Sequence, residues 1–208
     1  MRDVLRRDGL PLRVDPVTGL VEGVHFVPSP NCDERPPGCD LELVVVHNIS
    51  LPPGEYGGPW IERLFTNALA GTEHPYFEDI RGLRVSAHLL IRRDGEVTQY
   101  VPFSARAWHA GASCFAGREQ CNDYSIGVEL EGTDELPYTD AQYNVLAAIA
   151  GTLMQAYPAI APERIAGHCD IAPGRKTDPG PAFDWPRFRA SIAGRRVRRP
   201  AASPGGPP

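Results

Sequence analysis

No run of apolar residues in this sequence is long enough to cross a bilayer, and Met1 to Gly9 carry charges where a secretory signal would place its apolar core. The expectation is a cytoplasmic protein with no membrane partner. Also missing is the basic excess that phosphate recognition requires: 21 Lys and Arg face 26 Asp and Glu, for a net charge of -5, which argues against a nucleic-acid partner. The one basic run, R-R-V-R-R at 195–199, adjoins a Pro/Gly/Ser tail and reads as a solvated, disordered end, with an anionic partner as the alternative. Paired cysteines are absent too. The five present (Cys32, Cys39, Cys114, Cys121, Cys169) are odd in number and too sparse for a disulfide scaffold, and no two have the tight spacing of a zinc knuckle. They read as reduced thiols. Only Cys169 adjoins a candidate ligand, His168, and neighbours on a strand point to opposite faces. Nothing repeats, nothing demands a second domain, and no obligate protein partner is evident; 208 residues with 42% hydrophobic content suffice for one core.

What the chain does contain is a succession of short apolar segments. Before Leu41, Pro, Gly and Asp punctuate pieces such as V-H-F-V at 24–27, which reads as an irregular arm wrapped over the domain. L-V-V-V at 43–46 is a β-branched run, expected to be a buried strand that delivers its last side chain, His47, to a sheet edge. The Pro/Gly-rich stretch 51–59 predicts a shaped loop beside the site. Pro59 suits the first turn of a helix along which Ile61, Leu64, Phe65 and Ala68 recur at helical spacing. Residues 85–91 and 96–101 flank Asp94-Gly95, the signature of an antiparallel hairpin. S-I-G-V-E-L at 125–130 predicts a strand in which Gly127 permits close backbone approach and Glu129 faces away from Val128. Thr139 and Gln142 have capping-box spacing ahead of a helix ending near Tyr157-Pro158. Residues 164–168 predict a short strand, and Asp184 caps a last helix running to Gly194. This order predicts a single α/β domain, a mixed β-sheet flanked by α-helices.

The segment 167–180, G-H-C-D-I-A-P-G-R-K-T-D-P-G, gathers an imidazole, an ammonium and a carboxylate between prolines and glycines that keep it from forming an ordinary helix. A catalytic zinc site needs about three protein ligands and one open position. His47, His168 and Asp178 supply such a set. Spacing alone does not decide the matter: both histidines also read as strand-end residues bonded to a carbonyl, and Asp178 as a turn or cap carboxylate. Glu129 reads either as the acid/base for an activated water or as a surface carboxylate, and Lys176 as an oxyanion partner or a solvated charge.

Six blocks occur together and in order: V-H-N-I-S-L-P-P-G (46–54), H-P-Y-F (74–77), L-R-V-S-A-H (83–88), R-A-W-H-A-G (106–111), S-I-G-V-E-L-E-G-T-D (125–134) and G-H-C-D-I-A-P (167–173) through D-P-G (178–180). This pattern resembles the cytosolic AmpD-type 1,6-anhydro-N-acetylmuramyl-L-alanine amidases, in a wider family with phage lysozyme-type amidases and peptidoglycan recognition proteins. The resemblance covers about Val17 to Ile192. It implies an N-terminal arm (1–16), a zinc amidase domain (17–194) with the mixed α/β fold of that family, and a basic Pro/Gly-rich tail (195–208).

The implied reaction is hydrolysis of the amide between the lactyl group of (1,6-anhydro-)N-acetylmuramic acid and L-alanine of the stem peptide, in cytoplasmic peptidoglycan recycling. The implied roles are His47, His168 and Asp178 as zinc ligands, Glu129 as catalytic acid/base and Lys176 as the transition-state cation. An anhydromuropeptide substrate carries several carboxylates, so Arg84 is the first choice for a bidentate contact. Asn48 would bond substrate or orient the metal site. Trp108 and His109 would line the sugar end and His88 would stand behind the ligands, although all three serve equally as packed or hydrogen-bonded scaffold. Gln120 occupies a place where some relatives carry arginine, which leaves a carboxylate contact there to a neighbour such as Arg118. Cys169 and Asp170 become scaffold. Two other readings share the pattern: a non-catalytic muropeptide-binding module, and an amidase acting on intact cell wall.

Overall fold

The computed structural model describes residues 12–196; most of the expected arm and nearly all of the basic tail lie outside the described residues. In chain order the elements are β1 (His25–Phe26), β2 (Cys32–Glu34), β3 (Leu43–Ile49), α1 (Trp60–Phe65), α2 (Pro75–Ile80), β4 (Leu89–Ile91), β5 (Val97–Gln99), β6 (Ala105–Ala107), β7 (Cys114–Phe115), β8 (Arg118–Glu119), β9 (Ser125–Glu131), α3 (Asp140–Ala156), β10 (Ile165–Gly167), α4 (His168–Ile171) and α5 (Trp185–Arg196). Six strands form one sheet in the order β1-β5-β4-β9-β3-β10. β3 runs parallel to both β9 and β10, β9 runs parallel to β4, and β4 and β5 form the expected antiparallel hairpin. The sheet is therefore mixed and helix-covered, as the segment order predicts.

Strand alternation sorts side chains onto two faces. Val44 and Val46 of β3, Ile126, Val128 and Leu130 of β9, and Leu89 and Ile91 of β4 share one buried cluster with Leu146, Ile149 and Leu153 of α3 and Phe188 and Ile192 of α5. The other face is divided. Leu90 packs with Ile61, Leu64 and Phe65 of α1 and Phe77 of α2, while Leu43 and Val45 pack with Tyr124 and Ile171. Between those two apolar islands this face carries His47 and Glu129, so the polar site rests on a sheet whose reverse side bears the main apolar cluster.

The entry to α3 holds the sheet and helix in register. Thr139 Oγ1 accepts from the Gln142 N–H at 3.1 Å, and Gln142 Oε1 accepts from the Thr139 N–H at 3.1 Å, the reciprocal capping box that the spacing predicts. The Gln142 amide, fully buried, also donates to the carbonyls of Glu131 (2.9 Å) and Ile91 (3.3 Å), joining the helix start to the ends of β9 and β4.

Several boundaries differ from expectation. β4 begins at Leu89 instead of residue 85, because the backbone of residues 85–87 bonds to loops: Ser86 N–H donates to the Trp108 carbonyl, and the Asn31 amide donates to that of Val85. The segment before Leu41 is less irregular than its composition suggests, since β1 pairs with β5 and β2 with β6. Helix α5 continues two residues past the expected Gly194. His168, expected to end a strand, opens α4.

Replacing Thr139 with alanine should cost about 1 kcal/mol through loss of the cap. Gln142→Ala should cost roughly 2–3 kcal/mol, since it strands buried carbonyls as well. Urea unfolding of both variants measures the difference, and equal effects would show that the Gln142 amide contributes nothing.

Candidate active site

β3 and β9 are in register so that His47 stands directly beside Glu129, with Leu90 of β4 on the far side of the glutamate. His47 lies two residues inside β3, whose neighbours are β9 and β10. It therefore sits within the sheet and not at an edge, a correction to the expected placement. β10 delivers the chain alongside β3 and ends at Gly167, so that His168 emerges next to His47. The Asp170 carboxylate accepts the Gly167 N–H at 2.7 Å, and the Cys169 N–H donates to the Asp178 carbonyl at 2.9 Å. These two bonds fold the 167–180 segment back on itself, giving Cys169 and Asp170 the scaffold role expected of them. Because Cys169 lies on a helix, the opposite-face argument for its exclusion does not apply.

The Asp178 loop is pinned from the other side. Asn48 donates its amide hydrogens to Asp134 (2.7 Å) and to the Pro179 carbonyl (3.2 Å), and the Tyr138 hydroxyl donates to the same carbonyl at 2.8 Å. Gly180 follows at φ 78°, and a Cβ there would collide with the Asp134 backbone. Asn48 thus orients the Asp178 loop, where the sequence reading also allowed a substrate contact.

The outcome is a tight donor triangle. His47 Nδ1 lies 3.0 Å from His168 Nδ1 and 3.0 Å from Asp178 Oδ2, and His168 Nδ1 lies 3.1 Å from the same oxygen. His168 Nε2 is 3.1 Å from the Ala110 carbonyl. A carbonyl can only accept, so in the neutral ring the proton belongs on Nε2 and the Nδ1 lone pair confronts a carboxylate. A shared cation relieves that repulsion. Donors about 2 Å from a small tetrahedral metal ion lie roughly 3.3 Å from one another, close to the observed spacing. The three residues, two buried and one half-buried, fit a metal ion.

Burial holds the His47 pKa down at about 4, against a hydrogen bond to Asp178 that pushes the other way, so the ring is neutral at pH 7 and free to ligate. Burial works to raise the Asp178 carboxyl, but the His168 and His47 rings that face it outweigh burial and leave the group well below the usual range. Glu129 is shifted the opposite way. Burial, reinforced by the nearby Asp178 charge and opposed by Lys176, raises its carboxyl well above the ordinary value. Its Oε2 is buried and has no hydrogen-bond partner among the described residues, an unusual condition for a carboxylate oxygen.

The remaining candidates are placed as follows. Lys176 is exposed, and its charge reaches both Glu129 and His47. Arg84 is exposed, bonded only weakly to the Gly82 and Leu83 carbonyls of its own loop. Trp108 is half-buried and helps hold the Asp33 carboxyl below its ordinary range. His109 turns Nδ1 to His47 Nε2 at 2.9 Å and Nε2 to Ser125 Oγ at 3.2 Å. His88 accepts the Gly127 N–H at 3.0 Å and packs beneath His109. Gln120 is exposed, and the neighbouring Arg118 is tied to Glu42 and Cys39. Sequence reasoning missed Asn122, Ser125, Asp134, Tyr138 and Arg175, all of which brace the site; only the occurrence of most of them next to recognisable blocks hinted at it.

Comparison with known proteins gives this arrangement its class. The family model for N-acetylmuramoyl-L-alanine amidase matches residues 37–181, and the chain belongs to that family. Within it, the chain is 64% identical over 178 residues to the 1,6-anhydro-N-acetylmuramyl-L-alanine amidase AmpD of Salmonella typhimurium (strain SL1344), covering 86% of this chain and 95% of that one. A crystal structure of a selenomethionyl AmpD derivative superposes with a TM-score of 0.82 at 62% identity, covering 84% and 97% of the two chains. A complex of AmiD from E. coli with the substrate anhydro-N-acetylmuramic acid-L-Ala-D-gamma-Glu-L-Lys superposes at 0.55, with 28% identity and coverage of 76% and 60%.

The buried groups make the metal-free protein acid-sensitive. Between the ordinary histidine pKa of 6.5 and the folded value of about 4 at His47, the unfolded chain binds a proton that the fold refuses, so stability falls as pH is lowered. His88 and His109, also held well below 6.5 by burial, act with the same sign; Glu129, whose carboxyl is raised, opposes them. Three imidazoles outweigh one carboxyl. The thermal midpoint of the chelated protein should drop continuously from pH 6.5 towards 4, and a flat profile would contradict these burial effects.

Proposed function

We propose that this chain is a zinc-dependent amidase that hydrolyses the bond between the lactyl group of (1,6-anhydro-)N-acetylmuramic acid and L-alanine of the stem peptide, in cytoplasmic peptidoglycan recycling. The observation that carries the reading is Glu129: a half-buried side chain with one buried, unpartnered carboxylate oxygen and a raised pKa, one strand away from a three-donor site that fits a metal. The high identity to AmpD supports the recycling substrate, and the AmiD complex supports an anhydromuropeptide as ligand.

His47, His168 and Asp178 would hold the zinc; two imidazoles and a carboxylate suit a catalytic ion, with one position left for water or substrate. Zinc bound there supplies Lewis acidity to the scissile carbonyl and lowers the pKa of water. Glu129 takes the proton from the attacking water and returns it to the departing alanine nitrogen. A raised pKa equips it for both steps, since a carboxyl of ordinary acidity would surrender the proton too readily to hold it between them. Lys176, exposed yet close enough for its charge to reach Glu129, supplies positive charge where the tetrahedral oxygen develops a negative one. Arg84, with its guanidinium only loosely engaged, remains available for a carboxylate of the stem peptide.

Glu129→Gln should keep one zinc per chain and lose activity by about 10²–10⁴-fold. Metal analysis alongside turnover tests this, and wild-type turnover in the variant would remove Glu129 from the mechanism. His47→Ala should lose metal and activity together. For the substrate, the protein is incubated with anhydromuramyl tripeptide and with intact peptidoglycan, with zinc and with chelator. Zinc-dependent release of free tripeptide from the first alone is the expected result; release of stem peptide from intact wall would redirect the assignment to a cell-wall amidase.

A further inference from the structure

The histidine ligands differ in what stands behind them. His168 Nε2 faces a fixed acceptor, the Ala110 carbonyl, so its Nδ1 lone pair is committed to the donor triangle. Among the described residues, His47 Nε2 bonds no carbonyl or carboxylate. Its partner at 2.9 Å is another imidazole, His109, which can either donate or accept.

We infer that His109 is a positioning residue that holds His47 as an Nδ1 metal ligand, and that His109 and Ala110 together orient both histidine ligands. The inference rests on the zinc reading of the site. When His47 Nδ1 gives its lone pair to a metal, Nε2 carries the hydrogen and needs an acceptor. His109 Nδ1 is that acceptor. The His109 hydrogen then sits on Nε2, where Ser125 Oγ at 3.2 Å receives it. Each donor in this chain of three side chains meets an acceptor, and the polarity is set by the metal at one end.

The local structure is shaped to seat this ring. Ser125, Gly127 and Glu129 alternate with the apolar residues of β9 and share the site face. Ser125 anchors one end of the His109 ring, and Gly127 lies beneath it: a Cβ on Gly127 would come within 2.5, 2.7 and 2.7 Å of three His109 ring atoms. Asn122 Oδ1 accepts the backbone N–H groups of His109 (3.2 Å) and Ala110 (2.8 Å), fixing the dipeptide. Arg175 donates to the carbonyls of Ala110 (2.7 Å) and Ala112 (2.6 Å), tying it to the loop that bears His168 and Asp178. With both ring nitrogens engaged, His109 has none left for the sugar contact expected from the sequence.

The test compares the full-length parent with His109→Ala, His109→Gln and Gly127→Ala. Zinc affinity is measured against a chromophoric chelator, kcat and KM on anhydromuramyl tripeptide at saturating zinc, and the imidazole N–H signals by ¹⁵N NMR. His109→Ala should weaken zinc by about 10–100-fold, leave KM near parental, and abolish the slowly exchanging Nε2–H of His47 expected in the loaded parent. His109→Gln, whose side-chain oxygen still accepts, should recover most of the affinity. Gly127→Ala should reproduce the alanine defect with both imidazoles present. Parental zinc affinity in His109→Ala, or a defect confined to KM, would overturn the inference and restore a substrate role. A parent that binds no zinc would overturn the metal reading itself, an outcome separable from the other two.

Discussion

Two imidazole nitrogens and a carboxylate oxygen meet within 3.1 Å, and at least one of those imidazoles presents a bare lone pair. Left alone, such a group of acceptors repels. The surrounding structure is organised to hold it together regardless: backbone bonds fold the 167–180 segment, Asn48 and Tyr138 anchor Pro179, and the Ala110 carbonyl keeps His168 turned inward. That restraint is what suits these three donors to a cation. Donors that had to be gathered on binding would subtract their ordering entropy from the affinity, whereas these are already in place.

The glutamate depends on the same economy of geometry. Parallel pairing of β3 and β9 puts His47 and Glu129 side by side, and alternation puts both on the face that the long helices do not cover. Burial on that face raises Glu129 and lowers His47. Opposite shifts in adjacent residues thus come from one cause, desolvation acting on an acid and on a base. Membership of the amidase family gives these perturbed groups a chemical use.

Much of this was legible in the sequence, and unevenly so. Strand β9 could be read with its faces, because Ile126, Val128 and Leu130 alternate with Ser125, Gly127 and Glu129; the capping box of α3 was equally plain. The donor set His47, His168 and Asp178 was nameable, but its members are up to 131 residues apart, and only the joint occurrence of six blocks raised it above many equivalent choices. The bracing groups escaped notice for a physical reason. Ala110 acts through its backbone carbonyl, and Asn122, Ser125 and Arg175 act through hydrogen bonds to loops, roles that leave no periodicity and no distinctive residue type. Ile165, Ala166 and Gly167 run into His168 without a break in pattern, so the sequence extends the strand that far; the Asp170 carboxylate on the Gly167 N–H turns the chain into α4 at that point.

The strand order has a consequence for how the molecule comes into being. Both neighbours of β3, namely β9 and β10, follow it in the chain, the nearer starting at Ser125. During synthesis Leu43, Val44, Val45 and Val46, all fully buried in the finished sheet, emerge long before either partner exists. A β-branched apolar segment left unpaired is prone to pairing with another copy of itself. Distant pairings of this kind also slow folding, since the intervening chain must close before they contribute. The strand that carries His47 is therefore exposed to misassembly during synthesis until its partners arrive.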